Sequence, residues 1–168
     1  MLNTKSRKWI KVLNIDEAKS RAACSVFERR IVVSGGYNRE ILNTVEAYDH
    51  VGDTWENLPN MIIGRDGHKS VAVKNKLFVM GGFFKNSCEV FDSTNFIFTL
   101  FKQPKLDSKF YLRNPSEVIT IGSKIFVFRN MGIVTTYDFE SDEWFEKTCE
   151  ATKNLLWFSC ASIPMKTC

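Results

Sequence analysis

An all-β fold built from repeated four-stranded units, a partial β-propeller or a related array, is what this sequence predicts. Three observations carry that expectation. An apolar strand ending on two glycines occurs twice, as Ile31-Val32-Val33-Ser34-Gly35-Gly36 and as Leu77-Phe78-Val79-Met80-Gly81-Gly82, 46 residues apart. An aromatic-Asp pair with a second aromatic seven residues after the first occurs three times: Tyr48, Asp49 and Trp55; Phe91, Asp92 and Phe98; Tyr137, Asp138 and Trp144. With Trp9 added, the later aromatics are spaced 46, 43 and 46. A period in the forties, with several short strands per unit, is the signature of propeller blades.

The units follow in chain order. Residues 1–14 read as the end of a preceding blade, because the position seven before Trp9 is Leu2. A start between two strands points to a piece of a longer product. Residues 19–60 form a blade, with Val51-Gly52-Asp53 and Leu58-Pro59-Asn60 as its turns. Residues 65–103 form the next. Its alternating first strand is 68–73, its apolar second strand 76–82, its third 87–92 and its fourth 96–101. The continuous apolar run of the second strand fits a strand covered on both faces. Lys74-Asn75 and Asp92-Ser93-Thr94-Asn95 supply turn chemistry between the strands. Residues 113–148 form a degenerate blade, in which Arg129 and Asn130 replace the glycines and the connection to the third strand is short. Arg129 resists positive φ, whereas Asn130 tolerates it, so this blade is expected to turn differently. Residues 154–165 read as the opening strand of another unit.

The paired glycines are expected to allow a tight turn and a close backbone approach, leaving room for Tyr48 and Trp55 to pack on bare backbone.

Composition narrows the function classes. The chain has 168 residues, 44% hydrophobic and 25% charged, with 14 Phe, 4 Trp and 4 Tyr. The net charge of +4 is mild, and the clearest basic cluster, Lys5, Arg7 and Lys8, is too short for a nucleic-acid stripe. No run approaches the roughly 18 apolar residues of a membrane span, and the first fifteen residues lack the apolar segment of a signal peptide. Cys24, Cys88, Cys149, Cys160 and Cys168 form no C-x-x-C pair and read as free, mostly buried thiols of a reducing cytosol.

Catalytic chemistry has little to stand on. His50 lies in a turn and His68 opens a strand, neither with metal-ligand spacing or a nucleophile partner. No helix N-terminus follows the glycines to receive a phosphate. Glu140, Asp142 and Glu143 sit in a turn and read as solvated. No cofactor and no metal are expected.

The signature of Ile31 to Val33 with Gly35 and Gly36, then Tyr48, Asp49 and Trp55, resembles the kelch repeat. The likeness extends over about residues 2–165, and the connectors Trp55–Met61 and Arg65–Val73 resemble those of BTB-kelch proteins. The resemblance implies a kelch β-propeller, here partial: three full four-stranded blades plus strands of flanking blades. It implies a non-catalytic protein-binding module. In BTB-kelch proteins that module recruits targets to a cullin-based E3 ubiquitin ligase, through a BTB domain that this chain lacks. An actin-binding or cytoskeletal kelch protein without a ligase role is the alternative. Copper-dependent kelch oxidases fit poorly, since their ligand set is not matched. The implied location is cytoplasmic, cytoskeleton-associated in the actin-binding case.

Kelch-like adaptors bind through loops after the second strands and loops entering the first strands. Carried onto this chain, these give Tyr37, Asn38 and Arg39, then Phe83, Phe84 and Lys85, with Arg21, Arg65 and Arg113 as candidate anchors. Arg and aromatic side chains are typical interface anchors. The competing reading is that Tyr37 and Phe83 cover the blades and that Arg21 and Arg65 make structural hydrogen bonds.

Overall fold

The structure, a computed structural model, describes residues 2–3, 5–83, 85–102, 117–129 and 132–148. The strand expected at 154–165 lies outside the described residues. Sixteen strands and no α-helix occur among the described residues. Three four-stranded antiparallel meanders form the body. Blade one is β3 (Ala23–Phe27), β4 (Arg30–Ser34), β7 (Val45–Asp49) and β8 (Thr54–Leu58). A small hairpin, β5 (Tyr37–Asn38) and β6 (Glu40–Ile41), interrupts it. Blade two is β9 (Lys69–Val73), β10 (Lys76–Met80), β11 (Cys88–Asp92) and β12 (Ile97–Phe101). Blade three is β13 (Glu117–Ile121), β14 (Lys124–Phe128), β15 (Ile133–Asp138) and β16 (Glu143–Thr148). The first strands are neighbours, β9 lying between β3 and β13, so the blades fan out from them.

The seven-residue spacing is a register. Tyr48 lies opposite Trp55, Phe91 opposite Phe98, and Tyr137 opposite Trp144. The pair β1 (Leu2–Asn3) and β2 (Lys8–Trp9) sets Leu2 opposite Trp9 in the same way. Each aromatic pair packs at 5.1–5.2 Å between ring centroids, a separation at which tilted rings attract. The Asp that follows makes the turn: its Oδ1 accepts the N–H two residues on, at Val51, Thr94 and Glu140.

The outer pair has two chemical versions. In blade one the Tyr48 hydroxyl donates to Asp53 at 2.7 Å, and in blade three the Tyr137 hydroxyl donates to Asp142. Asp142 is solvated as expected, its side chain 72% exposed, and it also anchors the turn and pairs with Lys102 at 2.6 Å. Blade two has Phe91, with no hydroxyl, and Phe96 stands where the Asp would be, packed on it at 5.6 Å. The Trp indoles reach back along the chain: Trp55 Nε1–H donates to the Leu13 carbonyl and Trp144 Nε1–H to the Lys102 carbonyl.

Two cores fill the gaps between blades. Phe27, Val32, Leu58, Met61, Leu77, Val79 and Phe91 share the first; Phe78, Met80, Cys88, Val118, Ile125 and Tyr137 share the second. Strand β10 explains its own sequence here: Leu77 and Val79 face blade one, while Phe78 and Met80 face blade three. All four are fully buried. Burying each contributes roughly 1.5–3 kcal/mol.

The glycines answer to a different neighbour than expected. A Cβ on Gly35 would lie 2.4 Å from the Arg65 carbonyl oxygen and 2.8 Å from His68, and φ there is +55°. The space is taken by the connector entering blade two rather than by Tyr48 and Trp55. At Gly82 the close atom is the Asp66 carbonyl oxygen, 3.0 Å away. In blade three Arg129 takes no positive φ, and the turn uses Gly132 at φ 75°. Asn130 lies outside the described residues.

Candidate binding face

One end of the blades carries both loop sets. The connector 59–68 is locked there by charge. Glu89, on β11, accepts the N–H groups of Ile62 and Ile63 at 2.6 and 3.1 Å. Arg65 donates to Glu89 from Nε and Nη2, to the carbonyls of Gly81 and Ser87 from Nη1, and to the Ser87 hydroxyl. Both side chains of the pair are 0% exposed, so each charge is held by partners rather than water. Arg65, expected as a candidate anchor for a partner, is therefore inside the protein. Its geometry fits the competing structural reading. Lys19 and Glu46 make the corresponding buried pair in blade one.

Arg21 behaves differently. Its guanidinium lies over the Tyr37 ring at 5.0 Å and over the Phe83 ring at 5.3 Å, a double cation–π contact. Asp66 pairs with it at 2.6 Å, yet the Arg21 side chain stays 48% exposed. Tyr37 comes from the blade-one hairpin and Phe83 from the blade-two loop, so three of the residues expected from sequence meet across a blade boundary. Backbone bonds fix them. Ser20 and Tyr37 exchange N–H···O bonds, Gly67 N–H donates to the Arg21 carbonyl, and Phe83 N–H donates to the Asp66 carbonyl. Ile41 lies opposite Tyr37 and is exposed, as is Ile62 on the connector.

The remaining expected residues divide. Asn38 donates to Glu17 at 2.9 Å. Arg39 is exposed at the hairpin tip with φ 61°. Lys85 is half-buried and its N–H donates to the Gly82 carbonyl. Phe84 and Arg113 lie outside the described residues. Asp66, Glu46 and Glu89 were not singled out from sequence. The signal for the two glutamates was present, since both precede the aromatic-Asp pair by two residues, in Val45-Glu-Ala-Tyr-Asp and Cys88-Glu-Val-Phe-Asp.

His68 sits under this face with Nε2 2.9 Å from the Ser34 hydroxyl. Burial, then the charges of Arg65 and Lys69, pull its pKa down to about 3, so it is neutral at physiological pH. His50 is exposed in a turn. Cys24 and Cys88 are free thiols; Cys88 is buried as expected and its pKa is pushed up to about 12 by burial, whereas Cys24 is exposed. Among the described residues no cluster of three His, Cys, Asp or Glu side chains is arranged to hold a metal ion.

Comparison with known proteins places the repeat. The model of the Kelch motif matches residues 18–62. Spermatocyte protein spe-26 of Caenorhabditis elegans is 32% identical over 84 residues, 49% of this chain and 15% of that protein. Kelch repeat protein C2 of cowpox virus is 33% identical over 84 residues, 49% of this chain and 16% of its own length. Kelch-like protein 7 of Rattus norvegicus is 29% identical over 111 residues, 62% of this chain and 19% of that protein. The chain thus spans less than a fifth of these relatives. The solved structure of YjhT superposes with a TM-score of 0.72 at 16% identity, covering 89% of this chain and 58% of that one. The fold is a partial kelch β-propeller, and kelch repeats imply a protein-binding module.

Proposed function

We propose that this chain is the target-binding part of a BTB-kelch adaptor, presenting a protein target to a cullin-based E3 ubiquitin ligase in the cytoplasm. The observation that carries the binding half is Arg21 held between Tyr37 and Phe83, on loops of two blades. Rigid scaffolds commonly carry their binding residues on such loops, and Arg with aromatic rings is the composition of interface hot spots. The adaptor role is supported by the similarity to Kelch-like protein 7, and the ligase half rests on the resemblance of the connectors to those of BTB-kelch proteins. The chain itself performs no catalysis in this reading.

The test is affinity purification of the full-length product from cells, native and as a Tyr37→Ala, Phe83→Ala double variant. A cullin is expected with both forms. A target, ubiquitylated in a cullin-dependent way, is expected only with the native form. A complex without cullin overturns the ligase half. Co-sedimentation with actin filaments in place of cullin moves the protein to the cytoskeletal alternative. A target retained by the double variant overturns the assignment of the face.

A further inference from the structure

The outer edges of the three blades carry unlike chemistry. At three register-equivalent positions, blade one has Asp53, Thr54 and Asn57, and blade three has Asp142, Glu143 and Glu146. Blade two has Phe96, Ile97 and Leu100, which are 53%, 51% and 62% exposed. Strand β12 carries no charge between Ile97 and Phe101, and no strand among the described residues pairs with its outer edge. Phe96 has a local reason, since it packs on Phe91. Ile97 and Leu100 have none within the blade. Natural edge strands are blunted with charge because an apolar edge invites another strand, and β8 and β16 are blunted in that way.

We propose that β12 is a self-association edge, on which β12 of a second copy pairs antiparallel about a two-fold axis. The register follows from the sequence. The alignment that overlaps all five residues is centred on Thr99. It sets Ile97 against Phe101 of the other copy, Phe98 against Leu100, and Thr99 against itself. Lys102 then lies opposite Phe96, so no like charges face each other. Cross-strand apolar and Thr–Thr pairs are favourable, and like charges directly opposite are not. The same operation on β8 sets Glu56 against Glu56. An antiparallel two-fold pairing is isologous and closes at two copies. Five residues a side make an interface smaller than the roughly 800 Å² per partner of a standard one, so the dimer is weak.

The test uses the 168-residue chain in sedimentation equilibrium up to about 1 mM. A monomer–dimer equilibrium is expected. Leu100→Lys should raise its dissociation constant at least about tenfold, while Asn57→Lys, at the equivalent position of β8, leaves it unchanged. Thr99→Cys should give a disulfide between two copies at that residue, read by peptide mass spectrometry. Directly opposite Cα atoms lie about 4.5–5.5 Å apart, within disulfide reach. A chain that stays monomeric over the whole range overturns the proposal and leaves the edge to an extended segment of another protein. So does a dimer indifferent to Leu100→Lys that fails to cross-link through Thr99→Cys.

Discussion

Blades two and three share strand register, cross-strand aromatic pair and Asp turn, yet the cation that fastens each one comes from a different place. In blade two it is Arg65, arriving from the connector and closing on Glu89 with both side chains fully buried. In blade three Thr135 stands where Glu89 would be, and Arg129 stands where Gly81 would be, pairing with Glu146 on the outer strand. The meander therefore does not need the Gly-Gly or the Arg–Glu pair. Those features serve the join between blades: the glycines admit the connector's carbonyls, and the ion pair holds the connector once it is there.

The comparison can be broken at the ion pair, where the largest effect is expected. Arg65→Ala leaves the Glu89 carboxylate buried without its cation and should cost about 3–5 kcal/mol. Arg129→Ala should cost about 1.5–2 kcal/mol, because the Glu146 side chain is 30% exposed and water replaces the lost partner. Urea unfolding midpoints of the two variants measure the difference. Equal losses would mean that the seating of the connector has no special role.

The second break is steric. Gly35→Ala drives a Cβ into the Arg65 carbonyl at positive φ and should cost about 2–3 kcal/mol. Gly122→Ala has φ +59° as well, but nothing lies within 4 Å of its Cβ. It should cost only about 1 kcal/mol, the price of the left-handed backbone alone. Thermal unfolding of both variants separates the clash from the conformational cost.

What was legible in the sequence was whatever repeats at a fixed register. The strands of blade two, the aromatic pairs and the Asp turns are local, so period and turn chemistry locate them within one or two residues. Long-range partners were not legible in that way. Gly35 announced a close approach without saying that Arg65 and His68 make it from 30 residues downstream. Arg21 and Arg65 looked alike as arginines near first strands. One proved exposed between two rings, and the other buried on Glu89. The difference lies in the partner set, since a Glu follows at the right place on β11 for Arg65, whereas two rings from separate loops converge on Arg21. Only the folded register brings those groups together.

Protonation sharpens the comparison next. His68 enters blade two with its folded pKa near 3, below the ordinary value of about 6.5. Below pH 6.5 the unfolded chain binds a proton that the folded chain refuses. Stability is therefore complete above that pH and falls as the pH drops towards 3, by up to about 1.4 kcal/mol per pH unit. Denaturant unfolding between pH 5 and 6.5, above the carboxylate range, should show this slope in the native chain and lose it in His68→Gln. A slope that survives the substitution would place the titration elsewhere.

The smallest expected effect concerns a second fastening, besides the Tyr–Asp hydrogen bond, that blades one and three share and blade two lacks. Trp144 Nε1–H donates to the Lys102 carbonyl at 3.0 Å, and Trp55 makes the corresponding bond to Leu13 at 3.1 Å. Both donors reach backbone at the exit of the preceding outer strand. Phe98 has no N–H, so blade two does without this staple and relies on Arg65 and Glu89. Trp144→Phe gives blade three the outer Phe of blade two, with Tyr137 kept and no Arg–Glu pair gained, and should cost about 0.5–1.5 kcal/mol. Phe98→Trp in blade two should gain less than Trp144→Phe loses, because the connector there is already held by buried charge. Unfolding midpoints for the two reciprocal variants decide it. A gain at Phe98 as large as the loss at Trp144 would show that the two kinds of fastening act independently rather than substituting for each other.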